Sequence, residues 1–351
     1  MPDTAPCPLC GREVPHEYHA DTDGHRYRCD ESCGGFWTDG APTAFAGLTD
    51  EQRRQLIVAN RNLNHYWCSR RYDDASIASL LRDHGTVAAV AREYGLDGAR
   101  VECAGGCDGD SPLYLVVADC TRYTLRLHHR DRPYDRVRSE CVWLDTLRAS
   151  GVGVPDTVRA ADGRAIVEIP DALDDGRRHA VVRTWVDAAP LQLIPGEGKD
   201  GCLYERVGEA IGRMHAASEL FCPPEWFQTP RRGLSAVTRA MEEVGDVHGA
   251  PMSRLVPTLT MLSHEYPDVG LIHGDLTGLN VLDGSDGVCI VDWGGLRWGY
   301  FAADIALLFA DEVAEGLREA FAAGYERVRP LPALSAETID LFSAACAAGL
   351  I

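Results

Sequence analysis

Two segments in the last third of the chain restrict its fold more than anything else in its 351 residues: Leu271 to Leu282, LIHGDLTGLNVL, and Cys289 to Gly295, CIVDWGG. Each begins in an apolar run that reads as a short strand and then breaks into polar positions. Asp275 and Asn280 stand five residues apart on the loop after the first run, and Asp292 follows seventeen residues after Asp275, behind the second. Phosphoryl transfer requires such a set: one carboxylate to orient and deprotonate a hydroxyl, plus an amide and a second carboxylate offering hard oxygens to Mg²⁺. An Asp-x4-Asn pair alone is a weak signal. With His273 before it, Ile-Val-Asp-Trp-Gly after it and a two-part pattern upstream, it becomes a strong one.

That upstream pattern starts with a helix over Ser76 to Tyr94, apolar at Ile77, Leu80, Leu81, Val87 and Val90 and interrupted near Gly85. Short strands follow at Val101–Ala104, Leu113–Val117 and Tyr123–Leu127, separated by Gly-Gly and Asp-Cys-Thr turns as in an antiparallel meander. An amphipathic helix, Tyr134 to Ser150, ends at Gly151 and Pro155, and two more strands lie near Ala165–Ile169 and Ala180–Trp185. After Ala188 the periodicity is helical almost throughout: Leu203–Ala217, Leu234–Val244, Met252–Glu265, and Ala302 to the end. The expected class is α+β, a small sheet with one helix joined to a helical lobe.

Residues from about 76 to 345 resemble the aminoglycoside phosphotransferase family, the small-molecule branch of the protein-kinase-like fold, which carries His-Gly-Asp as in His273-Gly274-Asp275. The resemblance implies a two-lobed kinase-like fold in which Asp275 is the catalytic base, Asn280 and Asp292 hold Mg²⁺, His273 supports the loop, and Asp304 in FAADIALL braces it. It also implies a cation on the third strand for the nucleotide phosphates, held by a glutamate on the next helix. Arg126 and Glu140 take these places; the single lysine, Lys199, lies too far along the chain. The loop starting at Gly105 and Gly106 would cover the phosphates of ATP or GTP with backbone amides, and the Thr184-Trp185-Val186 backbone would bond the base. Carboxylates at Glu242, Glu243, Asp246, Asp311, Glu312 and Glu315 suit an amine-bearing acceptor, and equally a solvated helix face.

Thirteen cysteines divide into nine scattered among apolar neighbours from Cys68 to Cys346, as reduced thiols are, and four at the start. Cys7-x2-Cys10 and Cys29-x3-Cys33, each followed by glycine, can close a tetrahedron around a structural Zn²⁺, although His16, His19 and His25 lie between the pairs and could replace a sulfur. CDESCGGFWTDG, Cys29 to Gly40, resembles the second knuckle of a transcription-factor-type zinc ribbon, with one residue more between its cysteines. Residues 1 to 50 hold nine Asp or Glu against Arg12, Arg26 and Arg28, and the whole chain has a net charge of −19, so phosphate is repelled and a nucleic-acid partner is disfavoured. The ribbon is expected to dock onto the main domain or a protein partner.

The resulting division is a zinc ribbon at 1–48, an Arg- and aromatic-rich connecting helix at 49–75, a kinase-like N-lobe at 76–187 and a helical C-lobe at 188–351. No basic start followed by an apolar run opens the chain, and no stretch reaches the roughly 18 apolar residues of a membrane span, so a cytoplasmic protein without a membrane partner is expected. Three functions fit these features. The first is an ATP-dependent kinase of a small-molecule hydroxyl, the second a kinase of Ser or Thr in a precursor peptide, with ribbon and Arg-rich helix gripping the leader. The third is a non-catalytic nucleotide-binding scaffold, against which the intact Asp275, Asn280 and Asp292 argue.

Overall fold

The computed structural model describes residues 4–6, 13–19, 24–28, 36–37, 49–50, 86–105, 113–169, 177–194, 198–230, 269–310, 313–331, 339 and 342. The chain divides into two compact units, Met1–Val137 with Thr157–Trp185, and Arg138–Asp156 with Val186–Ile351.

In the first unit, four short strands form an antiparallel sheet in sequence order: β1 (Thr4–Pro6), β2 (Glu13–His19), β3 (Gly24–Arg28) and β4 (Phe36–Trp37). The zinc candidates Cys7, Cys10, Cys29 and Cys33 lie outside the described residues, as do the connecting segment 51–75 and Gly106. A second antiparallel sheet has five strands: β5 (Arg100–Gly105), β6 (Leu113–Ala118), β7 (Thr121–His129), β8 (Ile166–Glu168) and β9 (Arg177–Thr184) in the order β5-β6-β7-β9-β8. Asp119 and Cys120, both at positive φ (48° and 62°), make the two-residue turn from β6 to β7, a geometry matched to the right-handed twist of the strands. On β7 the pleat alternates: Leu125 and Leu127 are fully buried and Arg126 between them is half-buried. The helical stretch 86–93 packs Val87 and Val90 into the same core as Val116, Leu125 and Val182.

The second unit is built on helices α1 (Tyr134–Ala149), α2 (Gly201–Leu220), α3 (Phe301–Phe309) and α4 (Glu315–Glu326). Periodicity alone puts 76–187 in one lobe, yet α1 changes unit at Arg138. Its Trp143, Leu144 and Leu147 are buried with Ile211, Met214, Leu271, Phe301 and Tyr325, and that apolar contact assigns the segment to the helical body. Asp200 caps α2 by accepting the Leu203 N–H at 2.8 Å. At the crossing of α2 and α4 a side chain on Gly208 would run into the Phe321 carbonyl, and one on Gly324 into the Glu205 carbonyl, so the two backbones approach as closely as they do because both are glycine.

Five short strands lie between the helices: β10 (Ala189–Pro190), β11 (Val269–Ile272), β12 (Val281–Gly284), β13 (Gly287–Ile290) and β14 (Arg297–Tyr300); β11 and β13 are the two apolar runs expected as strands, and the other three were not expected. Strands of two to four residues are too short to show alternation over the usual window. They form a three-stranded sheet, β10-β12-β13, and a β11–β14 pair. The helices expected at Leu234–Val244 and Met252–Glu265 lie outside the described residues. No helix of the described residues is long and apolar enough to cross a membrane.

Candidate active site

The loop His273 to Asn280 leaves the buried end of β11. His273 and Gly274 are buried, and both of their N–H groups donate to one carboxylate, that of Asp304 on α3, at 2.8 and 2.9 Å. The His273 ring joins the loop to the second motif: Nε2 donates to the Val291 carbonyl at 2.8 Å, while Nδ1 accepts the Asp275 N–H at 3.3 Å. These partners require the hydrogen on Nε2. Gly274 has φ +78°, and a Cβ there would lie 2.6 Å from Nη1 of Arg297 and closer still to the Gly295 carbonyl, so the middle residue of His-Gly-Asp has no room for a side chain.

Asp275 emerges from this buried base as an exposed residue. Asn280 holds it, its side-chain N–H₂ donating to the Asp275 carbonyl at 2.7 Å and to carboxylate Oδ2 at 3.2 Å. The hairpin β12–β13, with Val281 opposite Ile290, and the bond from Val291 N–H to the Asn280 carbonyl at 2.9 Å bring the two motifs side by side. Asp292 follows in the left-handed conformation, φ 59° and ψ 65°, and is exposed. Loss of hydration against the loop pushes the Asp275 carboxyl up from its ordinary value, and the charge of Asp292 adds to the rise. His273, the Asn280 amide and Arg297 pull it the other way without offsetting it.

These residues fit a divalent cation. Two carboxylates sit close enough to repel, and no hydrogen bond from a described residue occupies the oxygen of the Asn280 amide. All three offer hard oxygen, which suits Mg²⁺. Two carboxylates and one amide supply fewer oxygens than the octahedral shell of Mg²⁺ takes, so an ion held here would complete its shell with oxygens from outside the protein.

Thus His273, Asp275, Asn280 and Asp292 are brought together within the second unit, to which Glu140 and Val186 also belong. Glu140 is buried in α1. Arg126 on β7, Gly105 at the end of β5, Thr184 at the end of β9 and Trp185 belong to the first unit. Trp185 donates its backbone N–H to the Arg122 carbonyl at 3.1 Å. Of the acidic acceptor candidates only Glu315 is described, exposed in the first turn of α4. Two residues near the loop were not singled out from the sequence: Arg297, whose guanidinium lies against Gly274, and His215 on α2, 3.4 Å from Asp304. The only trace of His215 in the sequence is a polar residue four positions after Ile211 on an apolar helix face.

The profile of the phosphotransferase enzyme family matches residues 105–335. No curated protein matches by sequence. Among solved structures, an amicoumacin kinase in complex with AMP-PNP and Ca²⁺ is similar with a TM-score of 0.58 at 18% identity, covering 76% of this chain and 84% of that one. A microcompartment-associated aminopropanol kinase gives 0.55 at 21% identity, with 78% and 95% covered, and a spectinomycin phosphotransferase in complex with ADP and spectinomycin gives 0.53 at 14%, with 77% and 87% covered. At these identities the likeness is one of fold.

Proposed function

The chain belongs to the phosphotransferase enzyme family, and from this we propose that it transfers the γ-phosphoryl group of ATP, or of GTP, to a hydroxyl of a small molecule. Asp275 takes the proton of the acceptor hydroxyl as its oxygen bonds to phosphorus, while the bond from phosphorus to the β-phosphate oxygen breaks and the nucleoside diphosphate leaves. Asn280 aims the carboxylate, and His273 and Asp304 keep the loop backbone from moving with it. Mg²⁺, for which Asn280 and Asp292 are the ligands, supplies positive charge to the phosphate oxygens when bound.

Arg126 is the cation assigned to the phosphates and Glu140 the carboxylate assigned to Arg126, with the backbones of Gly105 and Gly106 on the phosphates and of Thr184 to Val186 on the base. Cys7, Cys10, Cys29 and Cys33 are assigned to a structural zinc, supported by their spacing and by the four short antiparallel strands among which they fall. The aminopropanol kinase among the similar structures supports an amine-bearing acceptor.

One observation carries the proposal: a carboxylate held by an amide, on a loop anchored through its backbone, beside a second carboxylate. The test is nucleotide consumption by the purified protein with Mg²⁺ against amino sugars, amino alcohols and peptides. Turnover is expected with a small hydroxyl compound, and a fall of at least about 100-fold in Asp275→Ala, the lower range for a lost general base. Wild-type protein that consumes no nucleotide with any acceptor, or Asp275→Ala at full rate, would sink the proposal.

A further inference from the structure

Behind the Asp304 brace of the loop runs a chain of hydrogen bonds, Arg329 to Tyr325 to His215, that the chemistry above does not use. It begins at the surface, where Arg329 donates through Nη2 to Glu219 at 2.7 Å, and turns inward as Nη1 of the same guanidinium donates to the Tyr325 hydroxyl at 2.6 Å. The Tyr325 oxygen is 2.8 Å from Nδ1 of His215, whose Nε2 is 3.4 Å from Oδ2 of Asp304. Asp304 in turn receives the N–H groups of His273 and Gly274. Tyr325, His215 and Asp304 are wholly buried, and Arg329 is 7% exposed.

One arrangement of hydrogens satisfies these contacts together. A guanidinium can only donate, so the Tyr325 oxygen accepts from it, and the phenol donates to Nδ1 of the neutral ring 2.8 Å away. Loss of hydration holds the His215 pKa below its ordinary value, so the ring is neutral with its one hydrogen on Nε2, directed at Asp304. Tyr325 and His215 each accept from one side and donate to the other, and such chains strengthen one another in a dry interior. Phe301 packs against the chain, its ring stacked on His215 with centroids 4.4 Å apart and the Arg329 guanidinium 4.7 Å from its centroid. The close crossing of α2 and α4 at Gly208 and Gly324 is what lets Tyr325 reach His215.

We propose that Tyr325 and Arg329 are positioning residues for phosphotransfer: acting through His215, they fix the rotation of the Asp304 carboxylate and so the placement of Gly274 and Asp275. The two oxygens of Asp304 each hold one loop N–H, so turning the carboxylate about its own bond loosens both. His215 is the side chain that opposes this turn. Its bond to Asp304 is long, and the orientation of the ring decides whether it is made. Stacking on Phe301 fixes the ring plane, whereas the Tyr325 hydroxyl selects, of the two flips about Cβ–Cγ that share that plane, the one that puts Nδ1 on the phenol and Nε2 on Asp304. Without the hydroxyl, Nδ1 is a buried acceptor with its donor gone, and the ring gains by turning away from Asp304 to find another.

The kinetic part of this proposal rests on Asp275 as the base; its structural part does not, and the test separates them. Tyr325→Phe, which keeps the ring, Arg329→Met and Arg329→Lys are made in the full chain. Amide hydrogen exchange is followed at His273 and Gly274, with Ile290 and Val291, bonded to Gly153 and Asn280, as internal references. Tyr325→Phe and Arg329→Met are expected to speed exchange at His273 and Gly274 by about 5-fold, the equivalent of one net hydrogen bond, and to leave the references unchanged. Arg329→Lys, which keeps a donor for the phenol, stays at the wild-type rate. In turnover, kcat falls by about the same 5-fold with KM for the nucleotide unaltered.

Unchanged exchange at His273 and Gly274, or equal acceleration at all four amides, overturns the proposal, since the first means no coupling and the second general loosening. Selective acceleration with an unchanged kcat overturns it as well. Selective acceleration in a protein whose wild type shows no phosphotransfer supports the brace and overturns the proposed function instead. Should Tyr325→Phe fail to fold, the contrast between Arg329→Met and Arg329→Lys decides by the same readings.

Discussion

Gly274→Ala isolates the steric requirement of the His-Gly-Asp loop, because the second unit supplies a matched control. Gly151, just after α1, has φ +76° against +78° at Gly274, so alanine meets the same backbone strain at both positions. The surroundings differ. A Cβ on Gly151 meets only the tip of the Arg213 side chain at 3.3 Å, which can swing aside. A Cβ on Gly274 overlaps the Gly295 carbonyl, which is backbone and cannot, and lies 2.7 Å from Cζ of Arg297. The left-handed conformation costs alanine about 1–2 kcal/mol at either site. Relieving the overlap adds about 1–3 kcal/mol at Gly274 alone.

The expected loss is then about 1 kcal/mol for Gly151→Ala and about 3 kcal/mol for Gly274→Ala, or a fall in Tm of about 2–4 °C against about 6–12 °C. Any backbone shift at Gly274 also moves the N–H held by Asp304, so activity falls further than stability implies. Differential scanning calorimetry gives the first comparison, and nucleotide turnover at a temperature where both variants are folded gives the second. Equal losses of stability in the two variants, or full activity in Gly274→Ala, would refute the steric account.

The buried pair His215 and Asp304 makes stability depend on pH. His215 has a depressed pKa, so the unfolded chain binds a proton that the folded chain refuses, and stability falls as pH drops through the ordinary histidine range near 6.5. For Asp304 burial alone would raise the pKa, but the bonds from His215 and the loop amides outweigh it and hold the carboxyl below its ordinary 3.8. The stability this contributes is present above that value and lost as pH falls through the depressed one. Urea midpoints measured from pH 8 to 5 should decline in wild type and stay flatter in His215→Gln; parallel curves would contradict the assignment. For the amino-terminal strands, metal analysis should find one zinc per chain, lost in Cys7→Ser and in Cys29→Ser; a metal-free wild type would dismiss the cysteine tetrad.

Much of the candidate site could be read before any fold was known, because its chemistry is local. Asp275, Asn280 and Asp292 lie within eighteen residues of one another, and the hairpin that aligns them is signalled by apolar runs on both sides. The meander of the first unit was legible for a similar reason: its turns carry Gly or Asp, and burial alternates over part of β6 and β7, at Tyr114 and Val116 and at Leu125 and Leu127. What stayed hidden depends on distance along the chain. His215 lies on the apolar face of α2, and its partners Tyr325 and Asp304 are 110 and 89 residues away. Within their own segments His215 and Tyr325 look like ordinary core residues, and Asp304, singled out as a brace for the loop, carries no sign of His215 as its partner. The change of unit within α1 was equally out of reach, because Trp143, Leu144 and Leu147 declare a buried face but not what buries it.

The β12–β13 hairpin works as a ruler with a free end. The spacing between Asn280 and Asp292 is set at its base, where Val281 faces Ile290, whereas its tip, between Gly284 and Gly287, holds only the exposed Ser285 and Asp286. Residues added in pairs at that tip would lengthen the ladder outward and leave the oxygen donors where they are. A fluorophore or short epitope grafted between Ser285 and Asp286 would therefore report on the His273–Asn280 loop from one hairpin's length away, without entering it.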